Sequence, residues 1–252
     1  MRAACSSARI SSGATRFDGV NAKAPTTRWQ VFPDATALVG QAAALILDAA
    51  REAMAARGVF HVVLAGGNTP KDAYERLREC GANWAKWQIY FGDERCLPRG
   101  DPGRNDTMAR RAWLDHIRIP PVNIHPIPAE HGAEKGAQRY AEILRRVPEF
   151  DLVLLGLGED GHTASLFPGQ SGLGKNDADV LAICAAPKPP PERVSLSAAR
   201  LSRARRALFL ISGESKRDAV RAWRAGADIP ARRIAPALGV DVYVDRAAWP
   251  EA

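Results

Sequence analysis

The chain alternates between short apolar runs and longer segments in which polar and alanine-rich positions are mixed. The apolar runs have the length and composition of buried strands. The longer segments favour helix, because alanine, leucine and arginine have high helix propensity. This alternation predicts an α/β fold, a mostly parallel sheet with helices on both faces, as in Rossmann-like proteins. The predicted strands are Arg28–Phe32, Val59–Ala65, Trp87–Phe91, Val122–His125, Leu152–Leu155, Val180–Cys184, Arg193–Ser197, Ala207–Ile211 and Val240–Val244.

Residues with capping preferences mark where the helices begin. Asp34, Thr69 and Asn105 each precede a helical segment, and Pro70 suits a first helical turn. The segment Arg193–Ser197 alternates apolar and polar residues, which predicts a strand with one exposed face. The predicted helices are Ala35–Arg57, residues 70–80, Asp106–His116, Ala133–Arg146 with Tyr140, Ile143 and Leu144 on one side, and a last helix that ends near Trp223.

Three predicted strands end in polar turns that contain glycine, at residues 66–69, 92–95 and 156–162. The right-handed crossover rule brings the carboxyl ends of parallel strands to one edge of the sheet. Ligands of open α/β sheets bind outside that edge. Three separate signals at one edge therefore predict a ligand site there.

The first of these turns has the features of an anion site. Gly66 and Gly67 allow backbone N–H groups to approach a ligand closely. Asn68 and Thr69 stand at the start of a helix, whose N-terminus attracts negative charge. The Lys-Ser/Thr ending of a P-loop is missing. A tight turn without a ligand remains the alternative.

Two cations add to this prediction. Arg95 can hold a phosphate through a forked pair of hydrogen bonds. The alternative is an ion pair among Asp93, Glu94 and Arg95. Lys216 falls in the first turn of the last helix, where a cation is unfavourable unless it serves a ligand. For Lys216, a binding role and a solvated position are equally open.

The third turn carries His162, the only histidine that directly follows a glycine turn. Gly156, Gly158 and Gly161 match the GxGxxG spacing of dinucleotide-binding folds, but the third glycine of that motif should open a helix. Here there is room for barely one turn before Pro168, and the two acids between the glycines would repel a pyrophosphate. We therefore interpret His162 as a catalytic base, against the alternative of a histidine that packs the loop.

Composition limits the classes of function. A net charge of +7 suits an anionic ligand. The arginines are spread over separate segments without interleaved aromatics, so we expect no nucleic-acid partner. No apolar run is long enough to span a membrane. The four cysteines have neither metal-binding nor disulfide-framework spacing, which predicts no metal site and a cytoplasmic location.

The chain is expected to contain a tail and one domain. Residues 1–24 are rich in Ser, Ala and Arg and are expected to form a disordered tail. A transit peptide and an upstream choice of start codon are the alternatives. Residues 25–252 show no linker or repeat, which predicts a single α/β domain. We expect a monomer or a homodimer.

These residues resemble the glucosamine-6-phosphate isomerase/6-phosphogluconolactonase family of the sugar-phosphate isomerase/deaminase superfamily. The most specific match is LLGLGEDGHTASLFP at 154–168, and weaker matches follow the family's order over roughly residues 30–231. The resemblance implies hydrolysis of 6-phospho-D-glucono-1,5-lactone to 6-phosphogluconate in the oxidative pentose phosphate pathway, with a small-molecule substrate and no cofactor. The weaker matches are AGGNTP at 65–70, GDER at 92–95, Asn105, RVSLS at 193–197 and Gly213–Lys216.

The resemblance also implies the site. His162 is expected to activate water, with Asp160 or Glu159 fixing its tautomer. Backbone N–H groups of residues 156–161 are expected to stabilise the oxyanion. The GxSxG elbow of esterases is missing, so direct attack by water is expected rather than an acyl-enzyme. The implied substrate- and phosphate-binding residues are Gly66, Gly67, Asn68, Thr69, Asp93, Arg95, Asn105, Gly161 and Lys216.

Three positions depart from the family's pattern. Arg104 and Asn68 stand where serine is common, and Ser195 replaces a frequent threonine. Arg104 is expected either to add a phosphate contact or to face solvent.

Two rival functions are weighed against the lactonase. A deaminase of the same fold carries a further acid soon after the histidine, where this chain has Leu166–Pro168. A non-catalytic sugar-phosphate sensor needs a DNA-binding segment, which the sequence does not show.

Overall fold

The computed structural model describes residues 26–170, 172–174 and 178–251. The tail expected at 1–24 lies outside the described residues. Six parallel strands form the main sheet in the order β1-β9-β8-β5-β2-β3. These strands are β1 (Thr27–Phe32), β2 (Phe60–Leu64), β3 (Trp87–Phe91), β5 (Phe150–Leu155), β8 (Ala204–Ile211) and β9 (Val240–Asp245).

Three antiparallel strands form a second, smaller sheet in the order β4-β7-β6. They are β4 (Asp93–Arg95), β6 (Val180–Ile183) and β7 (Arg193–Leu196). Gly92 alone separates β3 from β4, so the chain passes directly from the main sheet into the small one. The backbone N–H of Leu196 donates to the carbonyl of Gly92 at 2.8 Å, which ties the two sheets together at this point.

The helices connect the strands of the main sheet. The connections from β1 to β2 and from β2 to β3 cross the sheet in one direction, so the right-handed crossover rule places α1 and α2 on one face. The connection from β8 to β9 crosses it in the opposite direction, so α6 lies on the other face. The predicted α/β architecture with a mostly parallel sheet is confirmed. The helices are α1 (Ala35–Arg57), α2 (Asn68–Arg78), α3 (Asn105–Ala112), α4 (Ala133–Leu144), α5 (Ala198–Ser202) and α6 (Arg217–Arg224).

Helix α1 begins and ends where the sequence predicts. The carboxylate of Asp34 accepts a hydrogen bond from the Ala37 N–H at 2.9 Å. Gly58 ends the helix in the left-handed region at φ 78°. The side chains that α1 buries pack on the sheet, whose central strand β5 is buried at all six positions.

Two of the predicted helix caps are wrong. Helix α2 begins at Asn68 after Gly67, whose φ of 105° suits glycine, so Thr69 lies inside the first turn. Helix α3 begins at Asn105, whose side chain does not cap it. Glu94 takes that place from β4, because its two oxygens accept from the backbone N–H of Asn105 at 2.7 Å and of Asp106 at 2.9 Å.

Three further expectations differ from the structure. The strand expected at Val122–His125 is a 3₁₀ turn, and only Ile124 bridges to the main sheet, because two prolines precede it. Strand β7 has no exposed face, since it lies between β4 and β6 and all four of its residues are buried. On α4, Tyr140 and Leu144 are buried, whereas Ile143 is 38% exposed.

Candidate active site

A cavity of about 560 Å³ lies at the carboxyl ends of β2, β3, β5 and β8. All three glycine-containing turns contribute to its walls, so the structure brings together residues that are far apart in the chain. Of the expected site residues, two do not line the cavity, Asp160 and Gly161. Those that line it are Gly66, Gly67, Asn68, Thr69, Asp93, Arg95, Asn105, His162 and Lys216.

His162 is oriented by Asp160. Its Nδ1 is hydrogen-bonded to Oδ1 of Asp160. A carboxylate can only accept, so Nδ1 carries the proton in the neutral ring and Nε2 keeps its lone pair. Nε2 has no hydrogen-bond partner among the described residues. Glu159, the other carboxylate considered for this role, lies 3.9 Å from Lys216 instead.

Glycine is required beneath the imidazole. A Cβ on Gly158 would lie 1.9 Å from Nδ1 of His162, so the ring rests directly against the backbone. The loop is closed by the Gly158 N–H, which donates to the His162 carbonyl, and by the Gly161 N–H, which donates to the Gly158 carbonyl. These two N–H groups of the 156–161 turn are therefore already engaged, which reduces the donors expected there for an oxyanion.

Gly161 serves the loop rather than the cavity. Its φ is 83°, and a Cβ there would lie 2.8 Å from the side chain of Ile229. The carbonyl of Gly161 accepts from the Ala231 N–H at 3.3 Å. The residue thus docks the histidine loop on the segment that precedes β9, and the binding role expected of it has no contact in the cavity.

The electrostatics keep the imidazole neutral near pH 7. Burial lowers the pKa of His162 below its usual 6.5, and the opposing effect of Asp160 is smaller. Burial would raise the pKa of Asp160, but the hydrogen bond and charge of His162 outweigh it and lower that pKa. At neutral pH the pair is therefore an unprotonated Nε2 supported by an ionised carboxylate.

Arg95 presents unused hydrogen-bonding capacity to the cavity. One of its terminal nitrogens donates to the carbonyl of Gly103. Its Nε is buried and has no partner among the described residues. The alternative of an ion pair with Asp93 or Glu94 is wrong, since no guanidinium–carboxylate contact joins these described side chains. That Nε is out of reach of a ligand in the cavity, but the second terminal nitrogen also makes no hydrogen bond to a described residue, so the guanidinium can still bind an anion.

Asp93 and Asn105 form a fixed polar wall. The Asn105 Nδ2 donates to the backbone carbonyl of Asp93 at 2.8 Å and to its Oδ1 at 3.1 Å. The hydroxyl of Ser165 donates to Oδ2 of Asp93 at 2.6 Å. Gly66 is required here, because a Cβ would lie 2.1 Å from Oδ1 of Asn105. The Asp93 carboxylate is thereby held at the cavity, and it forms no salt bridge with a described cation.

The part of the cavity beside the 66–69 turn is suited to an anion. Helix α2 points its N-terminus at the cavity, and the side chains of Asn68 and Thr69 make no hydrogen bond to other described residues. Lys216, at the end of a 3₁₀ turn before α6, keeps only the distant contact with Glu159. Backbone N–H groups, a hydroxyl, an amide and an ammonium group therefore line the same cavity.

Arg104 belongs to a separate polar cluster, the Arg104 cluster, formed by Arg104, Glu94, Asp106 and Glu130. The guanidinium is 1% exposed and makes five hydrogen bonds, to Asp106 twice, to Glu130 and to the carbonyls of Leu97 and Ile127. Both expectations for Arg104, phosphate contact and solvent exposure, are wrong. Burial would lower its pKa, but the surrounding carboxylates outweigh that effect and raise it.

The cavity also contains residues that sequence reasoning did not select. Lys188 and Pro189 lie in a proline-rich loop, Arg193 in β7, and Ser212 and Ser215 after β8. The four prolines of residues 185–191 are the only sequence signal for the first pair, and by themselves they indicate irregular structure rather than a site. The alternation at 193–197 predicts an exposed strand face, so it gives no sign that Arg193 lines the cavity.

Neither a metal cluster nor a membrane helix is found in the described residues. No group of three or more His, Cys, Asp or Glu side chains is placed to hold a metal ion. No described helix is long and apolar enough to cross a membrane.

Comparison with known proteins identifies the family. A family model described as glucosamine-6-phosphate isomerases/6-phosphogluconolactonase matches residues 33–243. A 6-phosphogluconolactonase of Mycobacterium leprae is 34% identical over 226 residues, which cover 84% of this chain and 92% of that protein. One from Synechocystis is 40% identical over 192 residues, which cover 73% of this chain and 79% of that protein.

Solved structures agree with this relationship. A 6-phosphogluconolactonase from Thermotoga maritima superposes with a TM-score of 0.82 at 27% identity, covering 88% of this chain and 100% of that one. A monomeric glucosamine-6-phosphate deaminase shares the fold, with a TM-score of 0.75 at 24% identity and coverage of 88% and 98%. The chain belongs to the glucosamine-6-phosphate isomerase/6-phosphogluconolactonase family.

Proposed function

We propose that the protein hydrolyses 6-phospho-D-glucono-1,5-lactone to 6-phosphogluconate, as the names of its relatives suggest. The observation that carries this proposal is the His162–Asp160 pair. Nε2 of His162 has no partner among the described residues, and His162 lines a cavity that also contains Arg95, Lys216 and the N-terminus of α2. A lactone that carries a phosphate needs both, a base for water and a site for the phosphate.

The reaction uses His162 as a general base and then as a general acid. Nε2 takes one proton from water while the oxygen bonds to C1 of the lactone, which generates a tetrahedral oxyanion. When the bond from C1 to the ring oxygen breaks, His162 returns the proton to that oxygen. The net change is addition of water, and the new carboxylic acid ionises at neutral pH. The charge of Asp160 stabilises the imidazolium that exists between the two steps.

The phosphate is proposed to bind Asn68, Thr69, Arg95 and Lys216. This assignment combines a helix N-terminus, the unpartnered guanidinium N–H and an ammonium group. Asp93 and Asn105 are proposed to contact the sugar hydroxyls, because a carboxylate without a cationic partner accepts such hydrogen bonds well. The backbone of Gly66 and Gly67 allows the sugar phosphate to approach closely.

The proposal includes no organic cofactor and no metal, since water activation by His162 requires neither. We further propose that residues 25–252 act as one catalytic domain.

The experiment is turnover of freshly generated lactone by wild type and His162→Ala, with the spontaneous hydrolysis rate subtracted. Loss of the base is expected to reduce the rate by on the order of 10²–10⁴. His116→Ala is the matched control, because that exposed imidazole contacts only the Arg111 carbonyl. A His162→Ala rate within a few-fold of wild type would contradict the assignment.

Deaminase activity is tested in the same series. The chain has Leu166, Phe167 and Pro168 where deaminases carry an acid, and Phe167 packs on His162 with ring centroids 4.7 Å apart. We therefore expect no ammonia from glucosamine 6-phosphate. Ammonia release together with absent lactone turnover would reverse the assignment.

A further inference from the structure

The loop between β6 and β7 carries one cation to the cavity on a stiff backbone. Residues 185–191 contain four prolines, each of which fixes its own φ angle. The buried guanidinium of Arg193 donates to the carbonyls of Lys188 at 3.0 Å, Pro189 at 3.1 Å and Pro190 at 3.1 Å. This backbone is therefore held in place from within the small sheet.

Lys188 is an exposed residue whose ammonium is available to a ligand in the cavity. It lines the cavity together with His162, and its ammonium has no hydrogen bond or ion pair with any described residue. Burial is the main reason why the pKa of His162 is low, and the positive charge of Lys188 adds to that effect. Lys216, by contrast, has Glu159 nearby and belongs to the wall formed by α6.

The reaction needs a counter-charge at the place where negative charge develops. The oxyanion forms at C1, next to His162, and the product keeps a carboxylate there. Fewer backbone N–H groups are available to the oxyanion than expected, because those of Gly158 and Gly161 donate within their own loop. A fixed positive charge at the same end supplies electrostatic stabilisation that those donors do not.

We propose that Lys188 is a catalytic residue that binds the C1 oxygen, as the oxyanion in the transition state and as the carboxylate in the product. The proposal rests on the lactonase function proposed above. It divides the cations of the cavity by role, with Lys188 at the carboxyl end of the substrate and Lys216 and Arg95 at its phosphate.

The first test compares Lys188→Gln with wild type in lactone hydrolysis. Loss of a charged hydrogen bond to the transition state is expected to reduce kcat/KM by roughly 10- to 100-fold. Lys135→Gln is the matched control, because it removes the same charge from an exposed lysine on α4 that does not line the cavity. Wild-type turnover must be present first, so its absence would refute the lactonase function itself. Wild-type turnover with an unchanged Lys188→Gln rate would refute only the role of Lys188.

The second test measures binding of two ligands by calorimetry. 6-Phosphogluconate and glucitol 6-phosphate share the open chain and the phosphate, but only the first has a carboxylate. Lys188→Gln is expected to weaken the binding of 6-phosphogluconate by about tenfold or more and to leave the binding of glucitol 6-phosphate unchanged. Equal weakening of both ligands would place Lys188 at the phosphate and overturn the proposal.

The third readout is the pH profile. The charges that act on His162 are Asp160 and Asp93, which raise its pKa, and Lys188, which lowers it. Removing Lys188 is therefore expected to move the acid limb of kcat/KM to higher pH. A purely structural effect of the loop would lower the rate without this shift, and an unshifted limb would contradict the placement of the charge beside His162.

Discussion

Two arginines nine positions apart in the chain have opposite environments. Arg104 is almost fully buried and places all five of its N–H groups on acceptors. Arg95 is half-buried, uses one terminal nitrogen, and leaves a buried Nε without a partner among the described residues. The more buried arginine is thus the saturated one, and the arginine beside the cavity is not.

The difference teaches how to separate a structural charge from a functional one. Burial alone would have selected Arg104 as the site residue. Hydrogen-bond saturation selects Arg95, because a saturated guanidinium cannot accept a ligand without losing a bond. We therefore expect changes in the Arg104 cluster to alter the free energy of unfolding, and changes in the cavity to alter turnover.

The largest effect is expected for Arg104→Met. Removing the guanidinium leaves Asp106 and Glu94 without their charged partner, which typically costs about 3–5 kcal/mol of unfolding free energy. Denaturant titration measures it. Arg99→Met is the matched control, since exposed Arg99 contacts the same Glu130 at 2.7 Å and such surface pairs contribute less than about 1 kcal/mol. Equal losses in both variants would mean that saturation of Arg104 has no special value.

A smaller effect, on KM for the lactone, is expected for Arg95→Met. The variant loses the proposed phosphate contact, so KM for the lactone should rise by roughly 10- to 100-fold. Its unfolding free energy should change by less than about 1 kcal/mol, because only the bond to the Gly103 carbonyl is lost. Steady-state kinetics and denaturant titration on the same preparation separate the two. A large loss of unfolding free energy with an unchanged KM would show that Arg95, like Arg104, has a structural role and does not bind the phosphate.

The smallest effect is expected for Asp160→Ala. Nδ1 loses its acceptor, and kcat/KM should fall by about tenfold. In wild type, burial lowers the pKa of His162 below its usual 6.5, so activity is lost only as pH falls through that lowered pKa. Asp160 opposes that shift, so its removal should move the acid limb to still lower pH, opposite to the direction expected for Lys188→Gln. A limb that moves upward would show that Asp160 does not act on His162.

Local signals in the sequence predicted most of the fold. Eight of the nine predicted strands are present, and Val122–His125 is not a strand because two prolines precede it. Strand β4 (Asp93–Arg95) is not predicted, because the sequence indicates a polar turn at 92–95. Asp34 was identified correctly because a cap acts on an N–H three residues away. The turns at 66–69, 92–95 and 156–162 share a cavity because parallel strands end on one edge.

Features that depend on distant residues were not predictable. Asn105 looked like a cap, but Glu94 occupies that place from another strand. Arg104 gave no sign of burial, since its acceptors come from residues on both sides in the chain. Strand β7 looked half-exposed because its pairing with β4 on one side and β6 on the other could not be foreseen. Lys188 was missed for the same reason, because its loop is positioned by Arg193.

The pairing of β4 with β7 has a consequence for folding kinetics. Asp93 lies opposite Ser195, about a hundred residues later in the chain. Contacts of such long range are slow to form, because the loop between them must close first. The main sheet depends on an even longer connection, since Thr27 of β1 pairs with Val240 of β9. We therefore expect the cavity to be complete only after both long-range pairings have formed.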